Sequence, residues 1–186
     1  YEINEPDRDI LTGKKKLSPK EQLIKYLETL FQPDEFVGYV TDDVYQDSEG
    51  KYKPRYGMYK FRQKDIIANL KACDDIGAAV GDYKPECGAW IRYNPLDGEG
   101  IKNDNVTRFD YALVECDEIS QEEQYKAYMK FNLPIACLVS SGGKSLHAIV
   151  KVNAPNYEEY KKRVGILYGF LTKGGLKLDG ANKNPS

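Results

Sequence analysis

The run Tyr111-Ala112-Leu113-Val114-Glu115-Cys116-Asp117 is apolar until it closes on two acids, and it reads as a strand. Just after it, Ser120-Gln121-Glu122-Glu123 has the serine and the glutamate three residues on that make a capping box, so a helix starts there and runs to about Phe131. Leu133-Pro134 ends that helix. Residues 135–140 form an apolar strand, Ser141-Gly142-Gly143-Lys144 a turn, and residues 146–152 a third strand. Asn156 caps a helix over 157–172, which Gly174-Gly175 terminates, and residues 176–179 read as a short fourth strand.

The order β-α-β-β-α-β is that of the ferredoxin-like, or RRM-like, α+β fold, whose strands lie 4-1-3-2 with the first strand central. No internal repeat or low-complexity tract competes with it. Upstream, residues 1–17 are a polar linker ending in Lys14-Lys15-Lys16. Ser18-Pro19-Lys20-Glu21 then supplies an N-cap, a proline at the first helical position and a capping-box glutamate. Leu23, Ile24, Leu27, Leu30 and Phe31 follow at helical spacing, which predicts a helix over 19–31. Residues 35–61 read as a hairpin broken by Asp47-Ser48-Glu49-Gly50, with a helix over 63–73 after it. Residues 88–93 form a strand stopped by Asn94-Pro95. We expect an N-terminal α/β module, residues 18–87, packed on the open face of a core formed by residues 88–186.

With 186 residues, 41% hydrophobic and 30% charged, the chain can bury one good-sized core. No apolar run approaches the roughly 20 residues that cross a bilayer, so no membrane association is expected. Opening on Tyr1 and closing on Asn184-Pro185-Ser186, the sequence reads as a piece of something longer, truncated at its C-terminal side. Net charge is −2, from 27 basic and 29 acidic side chains. That excludes attachment to nucleic acid or membrane by bulk charge, but not a local site for polyanions. Cys73, Cys87, Cys116 and Cys137 show no C-x-x-C spacing, which argues against zinc or a disulfide framework and for a reducing cytoplasm.

Alternation along a strand places residues i and i+2 on one face, about 6.6 Å apart. Ala112, Val114 and Cys116 then face the helices while Glu115 and Asp117 project together. Ala148, Val150 and Val152 likewise turn inward, which leaves His147 on the open face. A fourth strand beside the first adds Asp179. Carboxylates so clustered repel one another unless a cation lies between them. Hard oxygens suit Mg²⁺ or Mn²⁺, and two such ions about 3.5–4 Å apart activate an attacking hydroxyl and stabilise a leaving pyrophosphate.

The segment Ser140-Ser141-Gly142-Gly143-Lys144-Ser145-Leu146-His147 contains a G-K-S string. A P-loop needs glycine at 138, where Leu138 stands, and leads into a helix rather than a strand. Its glycines instead free a tight turn whose amides can approach phosphate oxygens. Ser141, Gly143, Lys144, Ser145 and His147 would surround a triphosphate.

Together these three motifs resemble the archaeo-eukaryotic primase superfamily, in particular the primase-polymerases of bacterial mobile elements such as prophages and plasmids. The strand ending in Glu115 and Asp117 resembles the first motif, Ser141-Gly142-Gly143-Lys144-Ser145-Leu146-His147 the second, and Leu178-Asp179 the third. The likeness covers about 88–186 and the hairpin region less specifically; the second motif is also similar to one in the polymerase domains of bacterial end-joining ligases. Glu115 stands where many relatives have aspartate, and the chain stops where similar proteins continue into an arginine-bearing segment. The resemblance also implies that Arg92 and Asn94 lie near the nucleotide.

The expected function is therefore a template-dependent nucleotidyltransferase, a DNA primase or polymerase. Glu115, Asp117 and Asp179 would bind two divalent ions, nucleoside triphosphates would be the substrate and single-stranded DNA the template, and a helicase is a partner that such proteins often work beside. Basic and aromatic residues across 51–62 offer a surface for a single strand. Two alternatives stand: a silent domain that binds nucleotide or single strands, and another ferredoxin-like nucleotide enzyme such as a cyclase. Rolling-circle nickases need paired histidines and zinc deaminases need their histidine-glutamate and cysteine pairs, whereas this chain has only His147.

Overall fold

The computed structural model describes residue 9 and residues 13–186, so most of the linker expected over 1–17 lies outside the described residues. In chain order the elements are α1 (Pro19–Leu30), β1 (Phe36–Val40), β2 (Val44–Gln46), β3 (Tyr52–Pro54), β4 (Met58–Arg62), α2 (Gln63–Ala72), α3 (Ile76–Val80), β5 (Trp90–Ile91), β6 (Phe109–Val114), α4 (Gln121–Lys130), β7 (Ile135–Ser140), β8 (Leu146–Ala154) and α5 (Tyr157–Lys173). Short 3₁₀ turns occupy Asn103–Asn105 and Gly180–Lys183. The protein is α+β, built from small antiparallel sheets and these five helices.

Both capping boxes form. Ser18 Oγ accepts from the Glu21 amide at 3.2 Å while Glu21 Oε2 accepts from the Ser18 amide at 2.8 Å, and Ser120 and Glu123 repeat the exchange at the start of α4. Each satisfies two donors that a helix start leaves orphaned. The single hairpin expected over 35–61 is two nested ones. β1 pairs with β4 and β2 with β3, because Gly57, at φ +61°, turns the chain where an added Cβ would strike the backbone of Tyr39. The strand expected over 88–93 contracts to β5, which pairs with the other edge of β1. The five-residue α3 was not expected; Asp75 caps it by accepting from the Ala78 amide at 3.2 Å.

The second half forms an antiparallel sheet in the order β6-β8-β7. Ala112, Val114, Ala148 and Val150 point from it into a core with Tyr128 of α4 and Tyr160, Val164 and Leu171 of α5. Tyr111 and Ile149 point the other way, into a second core with Leu27, Leu30, Val37 and Leu70. The N-terminal module thus covers the face that the helices leave bare. Among the described residues, no helix is long and apolar enough to cross a membrane.

The fourth strand expected over 176–179 does not form. Three outward backbone groups of β6 are already taken by side chains. The Asn94 amide donates to the Tyr111 carbonyl at 2.8 Å and accepts from the Tyr111 N–H at 3.1 Å, and the Tyr168 hydroxyl donates to the Leu113 carbonyl at 2.6 Å. With those three groups taken, the part of the β6 edge that a fourth strand would pair with is already occupied. The chain passes β6 in irregular form, burying Leu176, and then makes the turn Gly180–Lys183.

Candidate active site

β6 ends at Val114, so Glu115 and Asp117 lie just beyond the strand rather than within it. Alternation nevertheless continues, since Cys116 is buried with Ala112 and Val114 in the helix-side core. That turns Glu115, half-buried, away from this core; Asp117, in the turn that follows, is exposed.

Both oxygens of Glu115 are engaged. Oε1 accepts from Ser145 Oγ at 2.7 Å and faces His147 Nε2 at 3.3 Å, and Oε2 accepts from Asn182 Nδ2 at 2.9 Å. Hydrogen bonding from His147, then from Ser145 and Asn182, outweighs partial burial and lowers the Glu115 pKa to about 2. Because the folded value lies below the ordinary one of 4.5, the ionised carboxylate contributes stability above about pH 4.5, which is lost as pH falls towards 2. Acid unfolding of Glu115→Gln should accordingly depend less on pH across that window than the unfolding of wild type, as followed by circular dichroism; superimposable acid limbs would contradict this.

The turn between β7 and β8 is exposed through Lys144 and closed by one side chain. Ser141 Oγ donates to the Ser145 carbonyl at 3.0 Å and accepts from the Ser145 N–H at 3.3 Å. Gly142, at φ +76°, supplies the left-handed residue this closure requires. The turn's carbonyls are held from α4: Gln121 Nε2 donates to Gly143 at 3.0 Å and Gln124 Nε2 to Lys144 at 2.9 Å, while Gln124 Oε1 accepts from the Leu146 amide at 2.7 Å. Among the described residues, no acceptor engages the amides of Gly142, Gly143 or Lys144, and no acid pairs with the Lys144 ammonium. The turn thus presents three N–H donors and one positive charge to solvent, a combination suited to an anion.

Several expected site residues have other work. Ser145 is buried and its hydroxyl points at Glu115 instead of outward. Asn94 is fully buried; besides bracing Tyr111, it donates to the Pro185 carbonyl at 3.0 Å, so both of its N–H groups are taken within the fold. Arg92 Nη1 donates to Ser186 Oγ at 2.6 Å, and the Tyr93 hydroxyl to the Asn184 carbonyl at 2.6 Å. These three consecutive residues clasp the segment after Asp179 and so bring Asn182 to Glu115. Asp179 itself is exposed and accepts from the Ala181 amide at 2.9 Å, capping the 3₁₀ turn. Gln121, Gln124 and Asn182 were not anticipated, because neutral amides carry no signature until the fold shows what they touch.

Mg²⁺ and Mn²⁺ take oxygen ligands and commonly bind through one or two carboxylates together with substrate phosphates. Glu115 and the exposed Asp117, two residues apart at the end of β6, supply carboxylates of the kind that mode uses. Among the described residues, no three of His, Cys, Asp and Glu gather closely enough to form a metal site of their own, and Asp179 does not complete one. No family model, no curated protein and no solved structure matches this chain.

Proposed function

We propose that this chain is the catalytic part of a template-dependent nucleotidyltransferase of primase-polymerase type, on a ferredoxin-like sheet whose fourth strand is replaced by side-chain pairing. One observation carries the reading above the others. At the end of β6, Glu115 is contacted directly by Ser145 and His147, which follow a glycine turn whose amides and lysine have no partner among the described residues, and Asp117 lies exposed two residues further on. A site with carboxylates for divalent ions next to donors for phosphates is what joining nucleoside triphosphates requires.

Glu115 and Asp117 would hold Mg²⁺ or Mn²⁺. Those ions would lower the pKa of an attacking 3′-hydroxyl and stabilise pyrophosphate as it leaves. The Gly142, Gly143 and Lys144 amides and the Lys144 side chain would orient the triphosphate, with Ser141 shaping their turn. Ser145 and Asn182 keep the Glu115 carboxylate in one orientation. His147 would share its imidazole between Glu115 and a phosphate oxygen. Asp179, expected as a third metal-binding acid, would have to leave its capping position to join them.

The test is incubation with a labelled triphosphate and single-stranded DNA, with and without Mn²⁺ or Mg²⁺. Metal-dependent polymer is the expected product. A cyclic mononucleotide would instead identify a cyclase, and bound but unconverted nucleotide a silent domain.

A further inference from the structure

The N-terminal module contains an open cavity of about 400 Å³ that the acidic site does not use, lined by α1, α2, α3, β1 and β5. Its volume falls within the roughly 300–1,000 Å³ of small-ligand pockets. The walls are apolar and aromatic, with Tyr39, Tyr83 and Trp90 among them, and the charged lining residues are Asp75 and Asp82 alone. The two carboxylates crowd over Gly77, where an added Cβ would collide with Asp82 Oδ1 and lie 2.9 Å from Asp75 Oδ2. Asp75 Oδ2 already accepts from the Ala78 amide, whereas among the described residues no donor reaches Asp82. Walls with no basic residue and two acids repel a phosphate. They suit an uncharged flat ring that stacks on an aromatic face and offers N–H groups along one edge.

The rim of the cavity leads towards a surface that mixes basic and aromatic side chains. Thr41 lines the cavity, and the chain runs from it through Asp42 and Asp43, the latter tied by its Oδ2 to the Tyr56 and Gly57 amides, into the β2–β3 hairpin. Residues 44–62 carry five basic side chains against two acidic ones. Tyr45 and Tyr56 are exposed there, with the Arg55 guanidinium 5.6 Å from the Tyr45 ring centroid. Basic and aromatic groups that follow a backbone, beside a pocket that excludes phosphate, suit a single strand with one base turned out of its stack.

We infer that the cavity receives one unpaired guanine of a single DNA strand whose phosphates lie along the β2–β3 hairpin, a reading that rests on the single-stranded template of the proposed function. Guanine is singled out by its Watson–Crick edge. It sets an imino N–H beside an amino group, two donors for the Asp82 carboxylate, where the other bases offer one donor group on that edge.

Trp90 is the only tryptophan, so its emission reports on the cavity. The experiment titrates the protein with an oligothymidylate of about twelve nucleotides, and with the same strand carrying one central guanine. The guanine strand should quench Trp90 and bind about tenfold more tightly, the scale of a hydrogen bond to a charged group. Asp82→Asn should abolish that preference with the circular dichroism spectrum unchanged. Lys53→Ala combined with Arg55→Ala should weaken both strands equally and leave the ratio intact. Equal affinities, unaltered Trp90 emission, or a preference that survives Asp82→Asn would overturn the inference. Because the readout needs no turnover, a protein that binds this way yet never incorporates nucleotide would contradict the polymerase reading alone.

Discussion

Asp117→Ala is expected to lower metal-dependent nucleotide incorporation by more than about a hundredfold while leaving thermal stability unchanged. Loss of an outer partner of a metal ligand typically costs about 10- to 100-fold, so loss of a ligand should exceed that range. Asp117 is exposed, and among the described residues no hydrogen bond or ion pair engages it. Such surface positions usually change stability by no more than about 0.5 kcal/mol. Glu115→Ala is a poorer probe, because it would also strip Ser145, His147 and Asn182 of their shared acceptor. Incorporation rates and melting curves on the same Asp117→Ala preparation separate chemistry from folding. Activity within a few-fold of wild type would remove Asp117 from the site.

Asn94→Ala is expected to act on stability, with a loss of about 2–4 kcal/mol. Its side chain is the only partner described for the outward N–H and C=O of Tyr111, and both would be left buried without a bond. Each such orphaned group costs about 1–3 kcal/mol. The clasp on Pro185 would go as well, loosening the segment that carries Asn182. For a chain of this size the melting temperature should fall by about 10 °C. An unchanged melting temperature would show that water or a repositioned 176–179 segment replaces the amide at the edge of β6.

What could be read from the sequence was local. The helices α1 and α4 announce themselves through capping boxes whose partners are three residues apart, and the separation of Glu115 and Asp117 from the core follows from strand alternation, which persists through Cys116. The missing fourth strand could not be read this way. Residues 176–179 look strand-like by themselves, but whether they pair depends on an edge that Asn94 and Tyr168 occupy from 17 and 55 residues away. The same holds for Ser145. Within a glycine-rich turn a serine resembles a phosphate ligand, and only the approach of β8 to the end of β6 directs its hydroxyl to Glu115. The pattern of acids assigns Asp179 to a metal cluster, whereas the Ala181 amide two residues on supplies a nearer partner.

The central claim is that template, metal and triphosphate meet at the end of β6, and homopolymer templates test it most directly. Wild-type protein with Mn²⁺ is given each of four single-stranded homopolymers, each with four labelled deoxynucleoside or ribonucleoside triphosphates in turn. The account predicts polymer only where the nucleotide complements the template, and none when the metal is chelated. Product that ignores the template, or no product in any pairing, would contradict it.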